Sequence, residues 1–223
     1  MSQNRNIAIT VALLLLVALS VMAFAMYQQW RVSHGQVGSA GTSVPQVDAE
    51  NVYLYESPRN IRSFTLTSAQ GEQVDNSILQ GQWTIAFVGF TNCPDICPTT
   101  MATLSKTAER LPDRVTEPQF LMISADPERD TPKALNRYVT FFGDDFRGLT
   151  GDRETLKALA RDLNATFSSA SQSSDSGGVQ HSSHLALISP AGDFVGMIRP
   201  PLDVDTILRT YEKLQQWRPR GQS

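Results

Sequence analysis

The spacing of apolar and polar positions along the 223-residue chain changes several times, and each change marks an element. From residue 7 to 26 the chain is almost wholly apolar, and no charge falls between Asn6 and Gln29. About 20 apolar residues in helical form span the hydrocarbon core of a bilayer. Tyr27 and Trp30 follow, where aromatic rings favour the interface. Ala23-Phe24-Ala25 would suit a signal peptidase, but the run exceeds the apolar core of about 7–15 residues usual in a cleaved signal. The pattern predicts an uncleaved anchor over 7–27 behind a short cytoplasmic segment, 1–6. Arg5 and the amino terminus put positive charge inside, so the rest of the chain is expected outside the cytoplasm.

Residues 28–50 carry Gly35, Gly38, Gly41, Ser39, Ser43 and Pro45 with few large apolar residues, and read as a flexible tether. Residues 51–217 form the predicted domain, with a tail at 218–223. Within the domain, residues 64–67 and the region around Val74 flank a turn, which predicts a strand pair. The apolar run 83–90 predicts a buried strand. From Thr99 the pattern turns helical, with Met101, Leu104, Ala108 and Leu111 at spacings of three and four. Residues 120–124 form a second buried strand. Asp130-Thr131-Pro132 combines capping side chains with proline at a first helical position, followed by a face of Leu135, Tyr138, Val139 and Phe142. A helix over 152–163, strands over 185–188 and 194–198 joined by the turn 190–193, and a helix over 204–217 complete the order. Strands alternating with helices, then a hairpin and a helix, predict an α/β domain with a thioredoxin-like central sheet flanked by helices and an early parallel strand–helix–strand unit.

Charge changes this picture little: 19 Lys and Arg against 22 Asp and Glu favour no nucleic-acid partner. Cysteine usage changes it greatly. The chain has two cysteines, both in Phe90-Thr91-Asn92-Cys93-Pro94-Asp95-Ile96-Cys97-Pro98, directly after the first buried strand. A helix amino terminus at this point is expected to lower a thiol's pKa, and Pro98 to stop the helix from reaching back through the loop. A purely structural staple closing so short a loop would add little stability. Two chemistries remain open: dithiol–disulfide exchange, for which the familiar spacing has two intervening residues rather than three, and binding of a soft metal by two thiolates. Outside the cytoplasm the pair can oxidise and stay oxidised, so metal binding would require reduction first.

A metal held by two sulfurs needs a further ligand. The chain has three histidines and six methionines. His34 falls in the tether and reads as a solvated residue. His181 and His184 lie where a Ser/Gly-rich loop meets a strand, and strand ends on one side of an α/β sheet are where ligands gather. Met101 and Met122 have core spacing. Asp95, between the thiols, is a candidate acceptor or docking charge beside the ligands, or a turn residue. Asp126, ending the second strand, is a candidate to tune the thiols or to cap a loop. Asp130 and Thr131 read as helix caps.

Together these residues resemble the Sco/SenC family of copper chaperones for cytochrome c oxidase assembly. The segments that carry the resemblance are Gly81-Gln82-Trp83-Thr84, Gly89 to Thr100 with both cysteines, Ile123-Ser124-Ala125-Asp126-Pro127-Glu128-Arg129-Asp130-Thr131-Pro132, and Phe146-Arg147-Gly148-Leu149-Thr150-Gly151. The resemblance implies a thioredoxin-like fold and copper, as Cu(I) or Cu(II), bound by Cys93, Cys97 and one histidine. Counted back from Pro190-Ala191-Gly192, that histidine is His181. It further implies delivery to the oxidase's dinuclear copper centre, with the oxidase copper-site subunit, an upstream copper donor and a thioredoxin-like reductant as partners. The expected location is the periplasmic side of the cytoplasmic membrane. The chain departs from the family where Gln180 stands in place of an acidic residue before the histidine, and where Asn92 occupies a position at which histidine is frequent.

Overall fold

The computed structural model describes residues 44–47, 49–168 and 180–217, and Ser20, Val21, Met22, Phe24 and Met26. The chain divides into two units, Met1–Ala40 and Gly41–Ser223. In the first, the five described residues are helical and exposed. The rest of the expected anchor over 7–27 lies outside the described residues, as do 28–43 of the tether and the tail at 218–223. Among the described residues no helix is long and apolar enough to cross a membrane.

The second unit is an α/β domain. Its elements are β1 (Val52–Asn60), β2 (Leu66–Ser68), β3 (Gln73–Val74), a 3-10 turn (Asn76–Leu79), β4 (Thr84–Gly89), α1 (Ile96–Glu109), β5 (Gln119–Ser124), α2 (Pro132–Thr140), β6 (Phe146–Thr150), α3 (Arg153–Asp162), β7 (Phe167–Ser168), β8 (Gln180–His181), β9 (Leu185–Ile188), β10 (Asp193–Ile198) and α4 (Val204–Gln216). Eight strands form one sheet in the order β1-β10-β9-β4-β5-β6-β2-β3. β4, β5 and β6 run parallel, and β9 runs antiparallel to β4. The parallel β4–α1–β5 unit and the closing β9–β10 hairpin are those that the pattern predicts. Every residue of β4 and β5 is buried, as expected of strands covered on both faces. α1 packs against α4, while α2 lies on β6 and α3 on β5.

Two strands of the eight-stranded sheet escape the sequence pattern, each for a physical reason, as do β7 and β8 of the separate two-stranded ribbon. β1 lies at the sheet edge, pairs only with β10, slips register between Leu54 and Arg59, and contains Pro58, which an edge strand tolerates. Its half-exposed residues give no clean alternation. β6 carries Gly148 at its centre, a residue that weakens strand propensity. Packing explains it: a Cβ on Gly148 would lie 2.6 Å from Cγ of Leu135 on α2. Gly148→Ala should therefore cost about 1–3 kcal/mol through overpacking. In urea titration the midpoint should fall with the slope unchanged.

Candidate metal centre

Strand register places the centre. β4 and β5 pair from Thr84↔Gln119 to Gly89↔Ser124, so their carboxyl ends stop level. Antiparallel pairing of β9 with β4, with Ala186 opposite Ala86, brings the chain just before Leu185 to that same end. The cysteine loop, the loop after β5 and the histidine segment thus converge at one edge of the sheet. Ala125 N–H donates to the Gly89 carbonyl at 2.7 Å, extending the pairing past both strand ends.

Helix α1 begins at Ile96, three residues before the predicted start, with Asp95 at the cap position. Pro98 therefore does not exclude the helix from the loop. It sits in the first turn, where amide N–H groups lack intrahelical partners and proline's missing N–H costs nothing. Cys97 lies in that first turn too, and its own N–H donates to the Cys93 sulfur at 3.4 Å. The expectation that this position lowers a thiol's pKa fails for Cys97. The residue is wholly buried, and burial pushes the thiol far above the usual range, with Cys93 and Asp130 adding to the effect. Desolvation outweighs the positive end of the helix. Cys93 is partly exposed, and both cysteines are free thiols.

His181 reaches the sulfurs from a separate two-stranded ribbon, β7–β8, in which it pairs with Phe167. Ser182 N–H donates to the Thr166 carbonyl at 3.0 Å and fixes the ribbon's exit. The imidazole Nδ1 lies 3.0 Å from the Ser182 carbonyl oxygen, which can only accept. Nδ1 therefore carries the proton, and Nε2 presents its lone pair 3.4 Å from the Cys97 sulfur. Phe90 meets the ring edge-on at 5.7 Å between centroids. Burial lowers the histidine's pKa, which keeps it in the neutral form that a metal requires. The Ser182 carbonyl supplies the orientation that an acidic residue at position 180 could have given.

One ligand atom from each of Cys93, Cys97 and His181 falls within 4.8 Å of the others. Metal–sulfur and metal–nitrogen bonds of about 2.0–2.3 Å can bridge such a span with one ion. Two thiolates and one imidazole form a soft donor set suited to Cu(I). His184 is engaged elsewhere: its Nε2–H donates to the carbonyl of Leu163, the cap residue of α3, at 3.0 Å. His34 lies outside the described residues. Met101 and Met122 are buried in the core.

The two carboxylates expected beside the ligands are placed differently. Asp95 is exposed, makes no capping bond, and lines a cavity of about 280 Å³ with Ile96, Thr99, Ser183 and Leu202. Asp126 is buried and accepts from Arg129 Nη1 at 3.0 Å. The carboxylate that reaches the cysteine loop is Asp130, which the sequence pattern assigns to a helix cap. Thr131 is the cap instead, accepting from Ala134 N–H at 3.3 Å. Proline at the first helical position already implies this, since the cap is the residue before it.

Asp130 is completely buried. Its Oδ1 accepts from Thr91 N–H at 3.1 Å and from the Thr91 hydroxyl at 2.6 Å, and its Oδ2 accepts from the Ser124 hydroxyl at 2.6 Å. Burial raises its pKa, against the pull of these bonds. The carboxylate ties the residue two before Cys93 to the end of β5. Asp130→Ala should leave buried donors unpaired, at about 1–3 kcal/mol each, and loosen the loop that carries Cys93. Asp130→Asn keeps an acceptor for Thr91. Equilibrium unfolding and metal titration of the reduced protein should rank the variants wild type, Asn, Ala, with Ala weakening metal affinity about 10–100-fold. Equal affinity in all three would show that the strut does not position the centre.

Comparison with known proteins agrees with this geometry. The SCO1/SenC family pattern matches residues 53–216. A protein of Stutzerimonas stutzeri named for copper binding is 37% identical over 169 residues, covering 75% of this chain and 83% of that one. The mitochondrial SCO1 homolog 1 of Arabidopsis thaliana is 32% identical over 157 residues, covering 70% of this chain and 47% of its own length. This chain thus spans about half the length of that mitochondrial relative. The crystal structure of yeast Sco1 with copper bound superimposes with a TM-score of 0.66 at 29% identity, over 74% of this chain and 93% of that one. By the length of the family match and by the placement of two cysteines and a histidine at one sheet edge, the chain belongs to the SCO1/SenC family.

Proposed function

We propose that this protein is a membrane-anchored copper chaperone that carries copper on Cys93, Cys97 and His181 and delivers it to the dinuclear copper centre of cytochrome c oxidase during assembly. The observation that carries the reading is the convergence of these three donors within 4.8 Å. The copper-bound yeast relative and the copper-binding name of the Stutzerimonas protein support copper as the cargo. Cys97 is held as a buried neutral thiol, and a bound cation would displace its proton. A three-donor site also leaves copper open to attack by a recipient's ligands. The segment 7–27 anchors the chain and 28–50 tethers the domain on the periplasmic side. An upstream donor loads the site, and a thioredoxin-like reductant keeps the thiols reduced.

A second reading is thiol–disulfide reduction of the oxidase's copper-site cysteines. It draws on one asymmetry, the partly exposed Cys93 beside the buried Cys97, which suits an attacking and a resolving thiol. His181 would be dispensable for that exchange.

Titration of the reduced protein with Cu(I) and Cu(II) separates the readings. Cys93→Ser, Cys97→Ser and His181→Ala should each weaken copper binding by more than about a hundredfold, a larger loss than removal of a ligand's supporting partner. His184→Ala should bind like the parent protein. An unaltered Cu(II) absorption spectrum in His181→Ala would reject the ligand assignment. Rapid insulin reduction without copper retention would favour the reductase. For the anchor, the full chain should stay with membranes through an alkaline carbonate wash and be released after deletion of residues 7–27.

A further inference from the structure

The cysteine loop forms one wall of a cavity of about 550 Å³ whose other wall is α2. Thr91 and Asn92, just before Cys93, and Pro98, just after Cys97, face Arg129, Arg137 and Phe141 across it. Among the described residues, no acidic one lines it. Lys133, Arg137 and Phe141, on α2 and its carboxyl cap, recur at steps of four, the spacing that stacks side chains along one side of a helix, and Arg129 lies in the turn just before that helix. All four are exposed, Phe141 by 82%. Among the four α-helices of the second unit, α2 is the one without an aspartate or glutamate. The acidic residues of α4, by contrast, are paired with arginines just after α1, through Arg110–Asp205 and Arg114–Glu212. Arg129 is held by Asp126, but neither Lys133 nor Arg137 makes an ion pair among the described residues. This basic strip stands out on a chain whose formal net charge is -3. The cavity also holds Tyr138, whose hydroxyl is buried and has no hydrogen-bond partner among the described residues.

From these observations we infer that the Arg129–Lys133–Arg137–Phe141 strip and its cavity are the surface on which the copper recipient docks, and that the recipient presents carboxylates around an apolar contact. The inference rests on the copper-transfer reading and adds where and by what chemistry transfer partners meet. Unpaired cations beside an exposed aromatic ring suit an acidic protein surface, since opposite charge steers encounter and the ring supplies the contact that is desolvated. Position selects a transfer partner over any other acidic protein. A partner seated here touches the metal loop on both sides of the thiols, and the thiol it can reach is the partly exposed Cys93, not the buried Cys97. Exchange then starts at Cys93. One copper–sulfur bond to a recipient thiolate forms as the bond to Cys93 breaks, copper keeps its oxidation state, and the proton that left the recipient's thiol ends on Cys93.

The test is copper transfer from the full chain, loaded with Cu(I), to a purified copper-site domain of a cytochrome c oxidase subunit with its site empty. The rate is followed against ionic strength. Copper removal by a small Cu(I) chelator serves as the control. Lys133→Glu with Arg137→Glu should slow transfer at low salt by about tenfold or more and flatten or invert its salt dependence. Phe141→Ser should slow transfer at every salt concentration. Both variants should surrender copper to the chelator at the parent rate. Transfer by the charge-reversed protein at the parent rate and with the parent salt dependence would overturn the docking surface while leaving the chaperone reading intact. Faster loss of copper to the chelator would also overturn it, by tracing the effect to the metal site. A parent protein that loads copper but passes none to the oxidase domain at any ionic strength would overturn the chaperone reading, and the surface with it.

Discussion

The candidate metal centre gathers at the carboxyl end of β4, a strand buried along its whole length and hydrogen-bonded on both edges. Parallel pairing with β5 sets where the Asp130 loop begins, and antiparallel pairing with β9 sets where the histidine segment arrives. A one-residue slip in either pairing would turn each side chain to the opposite face. The strand ends in Gly89 for a steric reason. A Cβ there would lie 2.6 Å from the Phe87 ring and 2.9 Å from the Cys97 sulfur. Cys97 is thus seated against backbone that has no side chain to displace it, and its burial follows from that contact.

That burial divides the labour between two chemically identical side chains. Cys97 is a neutral, enclosed thiol that meets His181 and is inaccessible to a partner. Cys93 is partly exposed and accepts the N–H of Cys97. The same asymmetry suits a metal carrier that releases its cargo from one side and a dithiol that reacts through one sulfur. The two chemistries are also coupled. A disulfide between these residues would remove both thiolates from the donor set, so on the oxidising side of a membrane the redox state of the pair would gate metal binding.

Much of this was legible in the sequence because it depended on local pattern. The runs at 83–90 and 120–124, the helix faces, and the Cys-x-x-x-Cys loop each carry their signal within a few residues. What depended on distant packing was not legible. Nothing near Gly148 announces that Leu135 needs its space, and nothing in Val52–Asn60 announces an edge partner in β10. Asp130 shows the same limit at the site. Its identity and its place before Thr131-Pro132 are local, but its partners are Thr91, 39 residues earlier, and Ser124. The Cys97 thiol departs from its local pattern for a related reason: the helix end is a local feature, whereas the desolvation that outweighs it comes from the whole fold.

The departure at Gln180 acquires a physical meaning in this setting. A carboxylate beside the candidate ligand His181 would hold Nδ1–H and add negative charge next to a bound metal. Here the Ser182 carbonyl holds Nδ1–H at 3.0 Å, so the ring's orientation and tautomer are kept without that charge. The remaining buried anion close to the sulfurs is Asp130, which acts through the loop rather than through the histidine. The candidate histidine ligand is thus oriented by a backbone carbonyl, which a side-chain substitution at Ser182 would leave in place, whereas the cysteine loop is oriented by the Asp130 side chain, which a substitution would remove.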